Sequence, residues 1–240
     1  MKARYDAIFR DIRDSIEAGA YPYQSFLPSE SELTAAFSCS HNTLRRALGL
    51  LRDQGYVQPV HGKGVRVIWR EPERTTFTVG GIESFREADE RTHLHATTRV
   101  VRLEQVAATS KIAFDTGFEE GTELTAIERV RSVGGEALIY DHNLFRTSSI
   151  PGITEKIACS SVYDYAERDL GVSIATSKRA ITVERATRRD RELLDLDDID
   201  YLAVITSQTF DAQGILIECT QSRHRPDHFC FRDTAVRHKV

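Results

Sequence analysis

LPSESELTAAFSCSHNTLRRALGLLRDQGYVQPVHGKGVRVI, residues 27–68, packs two helix starts, a tight turn and a glycine-rich hairpin into one short stretch. In Leu27-Pro28-Ser29-Glu30-Ser31-Glu32, Ser29 can accept from the amide three residues on while Glu32 reaches back, a capping box that opens a helix. That short helix carries Leu33, Ala36 and Phe37. Ser38-Cys39-Ser40 reads as a tight turn, and Ser40 caps a further helix whose Leu44, Ala47, Leu48 and Leu51 form one apolar stripe. Gly55 ends it. Residues 56–60 and 65–68 then read as two short strands around His61-Gly62-Lys63-Gly64.

Upstream, Tyr5, Ile8, Phe9, Ile12 and Ile16 fall on one face of an amphipathic helix that stops at Gly19. Helix, short helix, turn, helix, hairpin is the order of a winged helix-turn-helix. In that fold the last helix enters the major groove and the hairpin tip touches phosphates or the minor groove. The face of this helix away from Leu44 and Leu48 shows His41, Asn42, Thr43, Arg45 and Arg46, hydrogen-bonding groups suited to base edges and phosphates. A merely solvated helix face would look alike. The coincidence of two caps, a short turn and a Gly-x-Gly wing favours the DNA-reading alternative.

Charge points the same way once the chain is divided. The whole chain carries a net charge of −4, which argues against a polyanionic partner. Residues 1–70, however, hold ten Lys/Arg and seven acids, leaving −7 for the remainder. Such asymmetry suits a small polyanion-binding head joined to a domain with other business.

Composition excludes several classes. With 240 residues, 40% hydrophobic and 28% charged, the sequence is that of an ordinary globular chain able to bury a core without staples or metals. The longest apolar run, Tyr201 to Ile205, is far short of the roughly 20 residues a membrane span needs. The N-terminus lacks the apolar stretch of a secretory signal, so a cytoplasmic address is expected. Cys39, Cys159, Cys219 and Cys230 form no C-x-x-C pair and read as free thiols. His224, His228 and Cys230 lie close in sequence, but they lack a fourth ligand and alternate faces on a strand, so no metal is expected.

Beyond Pro72 and the charged stretch 70–74, strand-like alternation recurs at 97–106, 123–132, 137–145, 181–185, 202–210 and 215–224. Helical segments are expected near 84–91, 110–114, 161–169 and 187–194. The whole is an α+β domain dominated by antiparallel hairpins. It contains no Gly-x-Gly-x-x-Gly or P-loop, so no nucleotide cofactor is indicated. Nor is there a Ser/His/Asp order, a carboxylate pair on one element or a metal motif to specify a reaction, so no catalytic residue is assigned.

Leu27-Pro28-Ser29-Glu30, the stretch from Thr43-Leu44-Arg45 to Ala47-Leu48, and Gly55-Tyr56 followed by His61-Gly62-Lys63-Gly64 resemble the DNA-binding head of GntR-family bacterial transcription regulators. The resemblance implies DNA contacts at Ser31, Ser40, His41, Asn42, Thr43, Arg45, His61 and Gly62. Lys63, a cation at the wing tip, is expected to contact phosphate in its own right. Ser31 and His41 stand where the family often has Arg. An Arg fork reads guanine bidentately and His does not, so these departures bear on the operator sequence.

The second half resembles the UTRA effector domain of the HutC branch, a sensor fold similar to chorismate lyase. Gly81-Ile82-Glu83-Ser84-Phe85, Ser161-Val162-Tyr163, the stretch Asp190 to Leu196 and the stretch Thr220 to Phe229 carry that resemblance, and within the branch they are most similar to the repressors of trehalose operons. The implied organisation is a winged helix-turn-helix at 1–70, a linker at 71–76 and an effector-binding domain at 77–240. The implied function is repression of a sugar-utilisation operon, relieved by a phosphosugar, trehalose 6-phosphate. Another phosphosugar, an amino-acid-derived ligand and a lyase-like enzyme remain open alternatives.

Arg129 and Arg131 are two apart on an expected strand, so both guanidinium groups project from one face and could clamp a phosphate dianion. Spacing alone fits an ordinary solvated strand face equally well. Ser84 opens an expected helix, whose N-terminus attracts anions. The resemblance places sugar contacts at Asp141, Ser161, Tyr163 and Glu218, while His224 and Arg225 are left without a functional role. One small head makes few base contacts, so a homodimer on a two-fold symmetric operator is expected, paired through the larger domain.

Overall fold

A computed structural model describes residues 4–70, 77–78, 82, 84–92 and 94–231 of the chain. The chain divides into two compact units; the described residues of the first are 4–70, and those of the second fall within 77–231. The expected linker 71–76, Gly81 and Glu83, and the segment 232–240 lie outside the described residues.

In the first unit the helices are α1 (Arg4–Glu17), α2 (Glu30–Ala36) and α3 (His41–Asp53). Ile8, Phe9, Ile12 and Ile16 of α1 interlock with Leu44, Ala47, Leu48 and Leu51 of α3, and Leu27, Leu33, Val57 and Val67 close the core. The capping box forms: Ser29 Oγ accepts from the Glu32 amide at 3.3 Å, and Glu32 Oε2 accepts from the Ser29 amide at 2.8 Å. Ser40 caps α3 through the Thr43 amide at 3.2 Å. Ala36 departs from the expected stripe and is exposed, because α2 ends there and Phe37, its C-cap, turns inward instead.

The wing is the antiparallel pair β1 (Val57–Val60) and β2 (Gly64–Val67). Gly62, at φ +70°, occupies a left-handed turn position that a side chain would strain. The Leu27 amide bonds the Val65 carbonyl at 2.8 Å and Phe26 bridges to Arg66, so the segment before α2 braces the hairpin.

The second unit contains β3 (Phe77–Thr78), α4 (Phe85–Thr92), β4 (Thr97–Ala107), α5 (Ser110–Thr116), β5 (Glu123–Val133) and β6 (Glu136–Arg146). After them come α6 (Glu155–Cys159), α7 (Val162–Asp164), β7 (Ile174–Arg185), α8 (Arg188–Leu193), β8 (Tyr201–Asp211), β9 (Leu216–His224) and β10 (Phe229–Cys230). Six strands make one antiparallel sheet in the order β4-β5-β6-β9-β8-β7. On its apolar face Leu124, Ala126, Leu144 and Cys219 pack with Phe118, and Tyr140, Leu202 and Val204 pack with Leu194 and Leu196. The opposite face buries Ile127 and Phe145 under Ala158, Val162 and Ala166, and beside them carries mostly polar residues, with Ile139 and Ile205 among them.

Four features of this unit differ from expectation. β7 begins at Ile174 rather than 181, since it is an edge strand whose exposed residues, among them Lys178 and Arg179, leave no apolar alternation to read. The helix expected over 161–169 is a single α-turn followed by a π-turn at Tyr165–Asp169. Helix α6 was not expected, its five residues being too few to show periodicity. The parallel pairing of β10 with β3 joins residues far apart in sequence, which no local pattern signals.

Candidate functional site

In the first unit, Ser31, Ser40, His41, Asn42, Arg45, His61, Gly62 and Lys63 are exposed and Thr43 is half-buried. The Ser40 and Thr43 hydroxyls lie 2.9 Å apart in the α3 cap, so both are held rather than free-swinging. Arg45 Nε donates to Glu30 Oε2 at 3.2 Å, and His41 Nδ1 lies 3.8 Å from the same oxygen. Glu30 was not among the residues singled out from the sequence.

In the second unit the polar sheet face floors a cavity of about 190 Å³. Strand register explains the convergence, because residues directly opposite one another share a face. Arg129 lies opposite Asp141, Asp141 opposite Ser222, and Ser222 opposite Ile205. Asn143, Thr220, Ser207 and Arg179 form the adjacent row. Ser84, Phe85, Ser161 and Tyr163 supply the facing wall.

Ser84, Arg129, Arg131, Asp141, Ser161, Tyr163 and Glu218 all line this one cavity. Arg129 and Arg131 are each 5% exposed, which overturns the solvated-strand alternative. Both are also partly engaged. Arg131 Nε donates to Asp141 Oδ2 at 2.6 Å, and its guanidinium carbon sits 3.8 Å from the centre of the Phe85 ring. Arg129 donates to Asn143 Oδ1 at 2.7 Å and to the Ala158 carbonyl at 3.1 Å, while its buried Nε has no hydrogen-bond partner among the described residues. Burial and the neighbouring Arg131 pull the Arg129 pKa down to about 10.

Asp141 is less available to a sugar than the resemblance implied. One oxygen takes Arg131 and the other takes the Ser222 hydroxyl. Burial would raise its pKa, but Arg131, Arg129 and Ser222 outweigh that and hold it below the ordinary value. Glu218 accepts from Tyr163, Thr220 at 2.6 Å and Asn143 at 3.3 Å. Burial, with Glu218 beside it, raises the Tyr163 hydroxyl well above its usual pKa, keeping it a neutral donor. Ser84 caps α4, accepting from the Glu87 amide at 3.2 Å, and Ser161 caps α7 through the Asp164 amide at 3.1 Å.

Asn143, Thr220, Ser222, Phe85 and Arg179 line the cavity without having been anticipated. A signal was present: Asp141-x-Asn143 and Glu218-x-Thr220-x-Ser222-x-His224 place polar groups at every second position, all on one face. His224, left without a role, also lines the cavity, its Nε2 2.9 Å from Ser222 Oγ, and burial pushes its pKa down to about 4. Arg225 does not line it; Asp227 and the Asp195 carbonyl hold it elsewhere. Among the described residues no group of three or more His, Cys, Asp or Glu is placed to hold a metal ion, and no helix is long and apolar enough to cross a membrane.

Residues 4–67 match the bacterial regulatory proteins of the gntR family, and residues 91–230 match the UTRA domain. The chain belongs to the GntR family of transcription regulators, in its UTRA-bearing HutC branch, and is a DNA-binding regulator rather than an enzyme. It is similar to the HTH-type transcriptional regulator TreR of Bacillus subtilis (strain 168), at 35% identity over 98% of each chain. The regulator GmuR of the same organism is 25% identical over 98% of this chain and 99% of its own. The solved B. subtilis trehalose repressor (TreR) effector-binding domain superposes with a TM-score of 0.55 at 33% identity, covering 60% of this chain and 99% of that one. The regulator YydK from B. subtilis, at 20% identity and a TM-score of 0.82 over 98% of this chain and 100% of its own, shares the fold.

Proposed function

We propose that this regulator is a cytoplasmic homodimeric repressor of a trehalose-utilisation operon, released from a two-fold symmetric operator by trehalose 6-phosphate. The observation that carries the effector class is the buried Arg129 and Arg131 pair on the cavity floor, with no acceptor for the Arg129 Nε among the described residues. Buried cationic donors call for an anion, and a phosphate offers several acceptor oxygens to two guanidinium forks. The sugar part would lie along Tyr163, Asn143, Thr220 and Glu218, whose hydroxyl, amide and carboxylate groups suit sugar hydroxyls. Ser84, Ser161 and Asp141 complete the site, Asp141 chiefly by holding Arg131. The identity to a protein named as a trehalose repressor supports the choice of sugar.

In this reading residues 1–70 form the DNA-binding head, 71–76 the linker and 77–240 the effector domain. DNA contacts come from Ser31, Ser40, His41, Asn42, Thr43, Arg45, His61, Gly62 and Lys63. Fluorescence anisotropy with the full chain on its selected operator tests the effector. Trehalose 6-phosphate should release the DNA, glucose 6-phosphate less well, and trehalose far more weakly still. Release by trehalose and trehalose 6-phosphate at equal concentrations would remove the phosphate from the reading, and a single protomer on a single half-site would remove the dimer.

A further inference from the structure

Glu30 puts a negative charge on the surface that is to meet a polyanion, which lowers affinity for every DNA sequence alike. It is the first residue of α2, and its Oε2 lies 3.2 Å from Arg45 Nε and 3.8 Å from His41 Nδ1. His41 and Arg45 are one turn apart on the same face of α3, so the Glu30 carboxylate lies beside two of the polar side chains of its first turns. The Arg45 side chain is 67% exposed, and an ion pair this exposed adds little to folding.

The atoms engaged suggest a different use. With Nε tied to Glu30, the two terminal amino groups of Arg45 make no hydrogen bond among the described residues and stay available to a partner. A guanidinium presented this way can address O6 and N7 of a guanine. Arginine otherwise loses much rotamer freedom when it binds, so restraint in the free protein lowers that loss for the one base pair the restrained geometry fits. His41 Nδ1, 3.8 Å from the same oxygen, lies on the same patch.

We propose that Glu30 is a positioning residue for base recognition, which gives up general DNA affinity for discrimination by orienting Arg45 and, beside it, His41. The inference rests on the reading of Arg45 as a base contact, and its test separates the two. The full-length protein and its Arg45→Ala, Glu30→Ala and Glu30→Gln variants are each used to select from a randomised DNA duplex library. Affinities are then measured on the wild-type consensus and on unrelated duplex.

Arg45→Ala should lose preference at one base pair per half-site, by roughly tenfold. Glu30→Ala should lose preference at that same base pair while its affinity for unrelated duplex rises, opposite in sign to the effect of Arg45→Ala. Glu30→Gln keeps an acceptor for the Nε proton and should retain part of the preference, and its unchanged melting temperature guards against a folding defect in α2. If Arg45→Ala costs a preference and both Glu30 variants keep it in full, the positioning role is overturned while the base contact stands. If Arg45→Ala costs no preference, both fall together.

Discussion

Arg131 Nε donates to Asp141 Oδ2 at 2.6 Å, with both side chains only 6% exposed. A buried pair of this kind gives modest net stability, because desolvation offsets the attraction, but removing one partner strands the other. Asp141→Ala should therefore destabilise the effector domain by about 3–5 kcal/mol, read as a lower urea midpoint, and should weaken effector binding through the misplaced Arg131.

Arg129 offers the cleaner test of effector binding. Among the described residues it has no carboxylate hydrogen-bond partner and its Nε has none at all, so Arg129→Met removes an incompletely solvated cation while keeping the stem volume. The melting temperature of the free protein should hold or rise and operator binding should persist. Release of DNA should need at least about tenfold more trehalose 6-phosphate, from the loss of a charged hydrogen bond. A wild-type response in a folded Arg129→Met variant would remove the arginine from the effector site.

In the head, Arg45→Ala should cost about 1–3 kcal/mol on the operator, and Lys63→Ala should weaken all duplexes alike and flatten the salt dependence. Titrations of each variant on operator and unrelated DNA at several salt concentrations distinguish the two. Equal losses on both DNAs for both variants would mean that α3 does not read bases.

His224 should give the protein a stability slope in mild acid. Its folded pKa of about 4 lies below the unfolded value near 6.5, because burial disfavours the charged ring. Between those values the unfolded chain binds a proton that the folded chain does not, so stability falls as pH drops, by up to about 1.4 kcal/mol per unit. His224→Gln should shallow the decline in urea midpoint between pH 6.5 and 5, a window above the Asp141 titration.

Asp190 is fully buried, caps α8 through Thr187 and receives Arg223 Nε at 2.9 Å on one oxygen and 3.1 Å on the other. Asp190→Ala should lower stability by about 1–3 kcal/mol, since it removes half of the α8 capping box and one of the two carboxylates on Arg223, leaving Glu184 at 2.7 Å. Neither Asp190 nor Arg223 lines the cavity, so effector selectivity should survive at temperatures where the variant is folded. Although Asp190 begins one of the stretches carrying the family resemblance, its contacts are those of a structural latch.

The sequence by itself determined the head almost completely. Caps, turn and apolar stripe are local signals, and Ser29, Ser40 and Leu44 did in space what their spacing required. It also determined most strands of the effector sheet, whose two-residue period is equally local. Tertiary structure alone decided that Arg129, Arg131, Asp141 and Glu218 share one cavity, since that follows from cross-strand register between β5, β6 and β9. Register alone brought Asn143, Ser222 and His224 in beside them. The same long-range pairing turned Asp141 from an expected sugar ligand into the counter-charge of Arg131, and helix packing set Glu30 against Arg45. Periodicity fixes which face a side chain takes, but its partners come from neighbouring elements ten or more residues away, and only burial and register choose among them.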